Sequence, residues 1–338
     1  MKILAIETSA DETAAAVVEE RKVLSNVIYS QILIHKKWGG IFPSLAKRAH
    51  EEKIDLIIDE ALEKFKMEEI SFIAVTQGPG LAVALEVGIR KAKELAVKFN
   101  KKIIAVNHLE GHIYSAFVQN SKGNPKHDFK FPYLALIVSG GHTEFVILKN
   151  HLEYEIIGQT LDDAAGEALD KAAKLLGLGY PGGPVIERLS KDANNIDSHN
   201  FPRPMLKSND LNFSFSGLKT SFYYFLKKNP NQTSKIKLLA SSFQEAVFDT
   251  LIKKTEKAIK STSINQLIVV GGVVANMRLR KLMRDLVKKY QGEVLFPSYK
   301  YLTGDNAAMI GVVAGFKAEK DLFVKNVDEL DRIPRWSL

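Results

Sequence analysis

Two histidines stand four residues apart in Asn107-His108-Leu109-Glu110-Gly111-His112. A helix over that segment sets both imidazoles on one face, close enough to share an ion. A third ligand is on offer at Asp305, in Thr303-Gly304-Asp305-Asn306, where a polar loop precedes a run of small residues that reads as a helix. Two neutral imidazoles and one carboxylate, with coordination positions left open, suit Fe(II) and equally catalytic Zn(II). The same spacing also serves histidines that merely face or cap a helix. No general-base Glu completes an H-E-x-x-H pattern, which argues against a zinc peptidase.

Phosphate chemistry is the second theme. Gly140-Gly141 directly follows an apolar strand, so its backbone N–H groups could approach a phosphate, with the hydroxyls of Ser139 and Thr143 as further donors. The polar turn Thr8 to Thr13 could act in the same way, and either loop alone also reads as an ordinary turn. Gly271-Gly272 lies between another apolar strand and a helix starting near Asn276, an arrangement suited to a nucleotide base, ribose or phosphate. Along that helix Arg280, Lys281, Arg284 and Lys288 share a face, as the wet side of an amphipathic helix often does. Gly177-x-Gly179-x-x-Gly182 matches the dinucleotide expression but follows a helical stretch, so a Rossmann fingerprint is rejected and a rigid loop over Gly177 to Pro184 is expected. There is no G-x-x-x-x-G-K-[ST] loop and no G-x-S-x-G elbow. Asp162, Asp163, Glu167 and Asp170 make an acidic helix start, read either as dipole stabilisation or as a contact to a ligand hydroxyl.

These residues must be positioned by packed elements. With 338 residues and 46% hydrophobic content, the chain can form about two ordinary domains. Residues Lys2 to Glu7, Ala14 to Val18 and Val23 to Ile28 read as strands around the first polar turn. Tyr133 to Val138, Glu144 to Leu148 and Tyr154 to Ile157 repeat the pattern around Ser139 to Thr143. Helical spacing covers 47–65, 82–99, 163–176, 234–259 and 276–290, with further strands over Phe72 to Thr76 and Gln266 to Val270. The repetition predicts a duplicated α/β unit whose halves meet at a cleft. The Pro- and polar-rich stretch Gln119 to Pro132 marks the boundary, giving subdomains over 1–125 and 126–338, the second with a helical insertion around 160–260.

Cysteine is absent, which excludes disulfides and thiolate metal sites and fits a reducing compartment. The apolar stretch Ile3 to Ile6 is too short for a signal-peptide core. No uncharged run approaches the roughly 18 to 20 residues needed to span a bilayer, so a cytoplasmic protein without membrane attachment is expected. A net charge of +8 would favour an anionic partner such as nucleic acid, although lysines spread over many helices also make a generally solvated surface.

Taken in order, Ile6 to Thr13 (IETSADET), the His108/His112 pair, Val138 to Thr143 (VSGGHT) and Asp162 to Pro184 form a motif set. It continues with Phe201-Pro202-Arg203-Pro204, Phe213 to Thr220 (FSFSGLKT), Gly271 to Arg280 (GGVVANMRLR) and Asp305-Asn306. This set resembles the tRNA adenosine threonylcarbamoyltransferase family of the bacterial TsaD type, once described as a glycoprotease, from about Lys2 to Gly311. The resemblance implies an actin-like, duplicated fold of the sugar kinase and heat-shock ATPase superfamily, with two ribonuclease H-like halves around a nucleotide cleft. It implies transfer of threonylcarbamoyl from threonylcarbamoyl-adenylate to the N6 amine of the adenosine 3′ of the anticodon in tRNAs reading ANN codons.

By motif matching, His108, His112 and Asp305 would bind one divalent ion per subunit, iron first, with zinc or magnesium as alternatives. Ile137, Val138, Ser139, Gly140, Gly141, Asp170, Gly183, Glu187 and Asn276 would line the adenylate site. A TsaB-like paralogous subunit and a TsaE-like ATPase would be partners. The adenine amine is a poor nucleophile, so a carboxylate that accepts its proton would help by roughly 10²- to 10⁴-fold; Asp11, with Glu12 behind it, is the candidate. The sequence departs from the family pattern at Ala10, where Cys is usual, at Ser44, where Glu is usual, and at Gly304, where Thr is usual. An ATP-dependent kinase or ATPase of the same fold would share the phosphate loops but has no need for paired histidines on a helix. A noncatalytic scaffold would be expected to lack the metal residues.

Overall fold

The structure, a computed structural model, describes residues 1–230 and 235–338. Two compact units emerge, one of Met1–Phe129 with Pro297–Leu338, the other of Lys130–Phe296.

The first unit begins with β1 (Lys2–Glu7), β2 (Glu12–Glu19) and β3 (Lys22–Ser30), followed by α1 (Ile32–His35) and α2 (Pro43–Ala61). It continues with β4 (Ile70–Gly78), α3 (Ala82–Phe99), β5 (Lys102–Asn107) and α4 (His108–Ser115). β1 and β2 are almost wholly buried, because helices cover their sheet and leave no wet face to alternate with. β1 pairs antiparallel with β2 and parallel with β4, and the sheet order is β3-β2-β1-β4-β5.

The second unit holds β6 (Tyr133–Val138), β7 (Thr143–Asn150), β8 (Glu153–Gln159), α5 (Ala165–Leu175), α6 (Gly182–Asp192), α7 (Ser216–Lys228) and α8 (Ile236–Thr262). After them come β9 (Gln266–Val270), α9 (Met277–Lys289) and β10 (Glu293–Leu295). Its sheet runs β8-β7-β6-β9-β10, with β6 antiparallel to β7 and parallel to β9. Strand for strand this is the arrangement of the first unit, so the duplication expected from the two strand-turn-strand blocks is present in the topology. The helices between β8 and β9 enlarge the second copy. The helix expected from Ser234 starts at Ile236, and Ser234 itself lies outside the described residues.

The C-terminal segment departs from the boundary expected at 125/126. Pro297–Leu338, read from sequence as part of the second subdomain, packs with the first unit, because α10 (Ala307–Glu319) lies against β1 and β2. Apolar on nearly all sides, α10 is buried from Ala307 to Ala314. A side chain at Gly311 would come within 2.8 Å of Val18 and 3.3 Å of Ala5, so glycine is what lets the helix settle on the sheet. The loop expected over Gly177 to Pro184 also ends early. Gly177 and Gly179 take left-handed φ values of 71° and 83°, and from Gly182 the chain is already helical.

Candidate metal centre and glycine loops

β5 runs directly into α4, whose first residue is His108. Asn107 starts the helix: its side chain accepts from the Leu109 N–H at 2.8 Å, while Glu110 reaches back to the Asn107 N–H. This is a capping box. The i, i+4 spacing then sets His112 one turn on, with ring centroids 4.6 Å apart. Gly111, between the two, packs tightly on α10: a Cβ there would meet Ile310 at 2.8 Å. With no side chain in the way, the start of α10, capped by Asn306, brings Asp305 over the imidazoles.

Asp305 Oδ1 lies 3.4 Å from His108 Nε2 and 3.2 Å from His112 Nε2. The three ligand atoms fall within 4.8 Å of one another. Ligands bonded at roughly 2.0–2.2 Å around one ion stand about 3–3.5 Å apart, so the spacing fits a metal. A second observation agrees. His112 is 1% exposed, yet neither ring nitrogen has a hydrogen-bond partner, so its Nε2 contact to Asp305 is close without hydrogen-bond geometry. An orphaned buried imidazole is costly unless something binds it.

His108 is held from behind. Its Nδ1 lies 2.9 Å from Glu7 Oε2 and 3.1 Å from Ser9 Oγ. Glu7 is fully buried and accepts from the Ser9 N–H at 2.5 Å and the Thr76 hydroxyl at 2.7 Å. A carboxylate can only accept, so it fixes a His108 proton on Nδ1 and leaves Nε2 facing Asp305 as the end that would give its lone pair to an ion, the carboxylate–histidine arrangement common behind metal ligands. Burial opposes charge on His108, but Asp305 and Glu7 outweigh it and hold the imidazole well above its usual range. Burial would likewise raise Asp305, yet His108 and His112 keep it far below the ordinary carboxylate range.

Asp11 and Glu12 belong to the same unit. Burial pushes the Asp11 carboxyl up, partly countered by a hydrogen bond to Glu12. Burial and the like charges of Asp11 and Asp305 push Glu12 well above its ordinary value. The pair therefore stands within electrostatic reach of Asp305. Beneath it, His50 Nδ1 meets the Thr13 hydroxyl at 2.8 Å and Nε2 the Ala10 carbonyl at 3.1 Å.

The second unit carries the glycine loops. Ser139 Oγ accepts from the backbone N–H groups of Gly141 and His142 at 3.3 and 3.0 Å, folding the turn after β6. Added Cβ atoms on Gly140 or Gly141 would meet nothing within 4 Å, so both face open space, as do Gly183 and Gly272. Ile137 and Val138 are wholly buried in β6; their side chains support the loop from below and present nothing to a ligand.

Asp170 accepts from the Gly182 and Gly183 N–H groups at 2.7 and 3.2 Å, so it caps α6. Glu187 accepts from the Met277 N–H at 2.8 Å, tying α6 to the start of α9. Asn276 caps α9 through the N–H groups of Arg278 and Leu279 and donates to Gln244 at 2.9 Å. Gly183, Glu187 and Asn276 are thus brought together around two helix starts. Of the acidic helix start, Asp162 binds the backbone of Phe215 and Ser216, and Asp163 pairs with Lys171 and Lys219. Both carboxyls lie below their ordinary range; burial works against this and is outweighed by those partners. Arg280 and Arg284 of the basic stripe lie over the Phe296 ring.

Glu7 and Thr76 carry no role in the sequence reading. The available signal was a lone carboxylate ending an apolar strand, which a fold with a covered sheet must bury and therefore pair.

A family model described as TsaD, tRNA N6-adenosine threonylcarbamoyltransferase, matches residues 22–312. A protein from Kosmotoga olearia named tRNA N6-adenosine threonylcarbamoyltransferase is 47% identical over 325 residues, covering 96% of this chain and 95% of its own. One of the same name from Carboxydothermus hydrogenoformans is 48% identical, covering 93% and 91%. Among solved structures, full-length HypF in its phosphate- and nucleotide-bound form matches with a TM-score of 0.59 at 13% identity, over 96% of this chain and 56% of its own. The activator of the 2-hydroxyisocaproyl-CoA dehydratase from Clostridium difficile with bound ADPNP gives 0.52 at 13%, over 96% and 99%. At that identity these likenesses speak for the fold alone, a duplicated actin-like ATPase fold. Among the described residues no helix is long and apolar enough to cross a membrane.

Proposed function

This chain belongs to the tRNA N6-adenosine threonylcarbamoyltransferase family, a family of transferases that modify tRNA, and we propose that its donor is threonylcarbamoyl-adenylate and its acceptor the adenosine 3′-adjacent to the anticodon in tRNAs reading ANN codons. The observation that carries the reading is the convergence of His108, His112 and Asp305, with Glu7 locking one imidazole from behind. Such a constellation serves a reaction that needs charge stabilisation at an anionic leaving group.

The donor is a mixed carboxylic-phosphoric anhydride and is already activated. The N6 amine attacks its carbamoyl carbon, the bond to the phosphate oxygen breaks, AMP departs with the electron pair, and a proton must leave the amine. Asp11, with Glu12 hydrogen-bonded to it, accepts that proton; carboxyls raised above their ordinary range are better matched to such a task near neutral pH. The turn Ser139 to Gly141 takes the donor phosphate on its open side, with the Gly140 N–H as donor; the Ser139 and Gly141 N–H groups fold the turn itself. Gly183, Glu187 and Asn276 bound the nucleoside, with Asp170 holding α6 in place.

His108, His112 and Asp305 hold one divalent ion, iron first, with zinc or magnesium as alternatives. When bound, such an ion supplies several kcal/mol of charge stabilisation as a Lewis acid. The protein works in the cytoplasm with a TsaB-like paralogous subunit and a TsaE-like ATPase. Incubation with synthetic threonylcarbamoyl-adenylate and unmodified tRNA, followed by nucleoside mass spectrometry, tests the reading. A modified adenosine is expected, and release of phosphate from ATP without any change in the tRNA would overturn it.

A further inference from the structure

From Gln31 to His50 the chain contains Lys36, Lys37, Lys47 and Arg48 and no acidic residue. The middle of this stretch leaves large apolar side chains in solvent. Trp38 is 61% exposed and Phe42 47%, with Leu33 and Ile41 exposed beside them in sequence. Single exposed apolar residues are ordinary, but several within ten residues need a reason. The two rings are not splayed: Trp38 stacks on Phe42 with centroids 5.5 Å apart and planes 30° from parallel. Lys36 and Lys37 are exposed and make no ion pair among the described residues, so both charges are free.

The base of the loop is fixed. Gln31 is buried and its N–H donates to the Asp11 carbonyl at 2.9 Å. His35, also fully buried, bonds Gln31 Oε1 through Nε2 at 3.0 Å and accepts from the Phe42 N–H at 3.3 Å through Nδ1. A polar latch therefore holds an aromatic pair outward, and the same latch abuts the backbone of Asp11. An apolar protein surface could cover the rings, but it would leave two lysine charges without partners. Single-stranded nucleic acid satisfies both, since every base has a face to stack and every nucleotide a phosphate.

We propose that Trp38 and Phe42 form a stacking platform for an unpaired anticodon-loop base neighbouring the reacting adenosine, with Lys36 and Lys37 on the adjoining phosphates. This rests on the tRNA-modifying function given above and adds to it the surface that presents the loop to Asp11.

The test uses the full chain and an unmodified anticodon stem-loop RNA. Trp38 and Trp336 are the two tryptophans, so in a Trp336→Phe background the emission reports on Trp38. Stem-loop is expected to quench it, and a fully paired duplex of equal length is not. Loss of one stacking partner should weaken stem-loop binding about tenfold in Trp38→Ala, while Trp38→Phe keeps most of it. Replacing Lys36 and Lys37 by Ala should lower the slope of log K against log salt by about 1.4. A thermal midpoint close to that of the parent establishes that each variant is folded. A Trp38→Ala dissociation constant within twofold of the parent overturns the proposal, and so does that result combined with loss of a protein subunit, which would assign the surface to a protein. Nucleoside mass spectrometry separates the two failures. If the parent modifies tRNA and Trp38→Ala does so with unchanged KM for tRNA, only the platform falls. If the parent modifies none, the functional reading falls first.

Discussion

Replacing Glu7 by Gln probes the metal centre without touching a ligand. In the parent, Glu7 Oε1 accepts from the Ser9 N–H and Oε2 from both Thr76 Oγ1 and His108 Nδ1. A glutamine amide has one acceptor oxygen and one donor nitrogen, so it cannot serve all three donors. With its oxygen toward Ser9, the amide nitrogen faces His108 and donates to Nδ1. That forces the His108 proton onto Nε2, where it occupies the lone pair that would bind the ion. With the amide reversed, nitrogen faces the Ser9 N–H and leaves a buried donor unmet, at a cost of about 1–3 kcal/mol. Loss of such an outer partner typically weakens metal binding about 10- to 100-fold, or about 1.4–2.7 kcal/mol. The assay is a competition titration of the metal-free chain with Zn(II) or Co(II) against a chelator, with circular dichroism to establish that the variant is folded. An affinity within twofold of the parent, in a folded variant, would refute the argument that Glu7 sets the His108 tautomer.

Joint replacement of His108 and His112 by Ala should abolish metal binding and tRNA modification while the far-UV spectrum stays that of a folded chain; full transfer by the metal-free variant would sink the site assignment. Gly166→Ala should cost about 1–3 kcal/mol, because its Cβ would stand 2.5 Å from the Ser139 carbonyl oxygen, and should weaken donor binding by displacing the glycine loop; denaturant melts and donor titration check both. His50 is held neutral, its pKa lowered chiefly by burial. Its folded pKa lies below the unfolded value near 6.5, so the unfolded state takes up the proton first. Stability should be intact above about pH 6.5 and fall as the pH drops through and below it. His50→Gln should flatten that part of a stability-against-pH curve, and an unchanged curve would remove His50 as the cause.

Much of this was legible in the chain. The strands around Ser139 and Thr8 announce themselves by repeated apolar runs with polar turns, and the duplicated topology follows. The spacing of His108 and His112 predicts a shared face, and the polar loop before a small-residue helix offers Asp305 as a possible third ligand; the structure brings the three together. The role of Glu7 was hidden, because it depends on which strand lies beside β1: only the parallel pairing with β4 sets Thr76 against that carboxylate. The return of Pro297–Leu338 was hidden for a similar reason, since the small residues of α10 reveal a close approach without naming the surface approached. Asp170 Oδ1 and the Asn276 amide oxygen also hold helix starts, a local use that only backbone geometry discloses.

The unit bearing the two histidines is interrupted in the chain, whereas Lys130–Phe296 is one continuous stretch. A ribosome therefore delivers every part of the middle unit while the flanking one still waits for α10 and the third ligand. The cluster of His108, His112 and Asp305 is complete only after the stretch that follows the middle unit has been made. A product ended before Asp305 would have both imidazoles, no carboxylate opposite them and a sheet without α10.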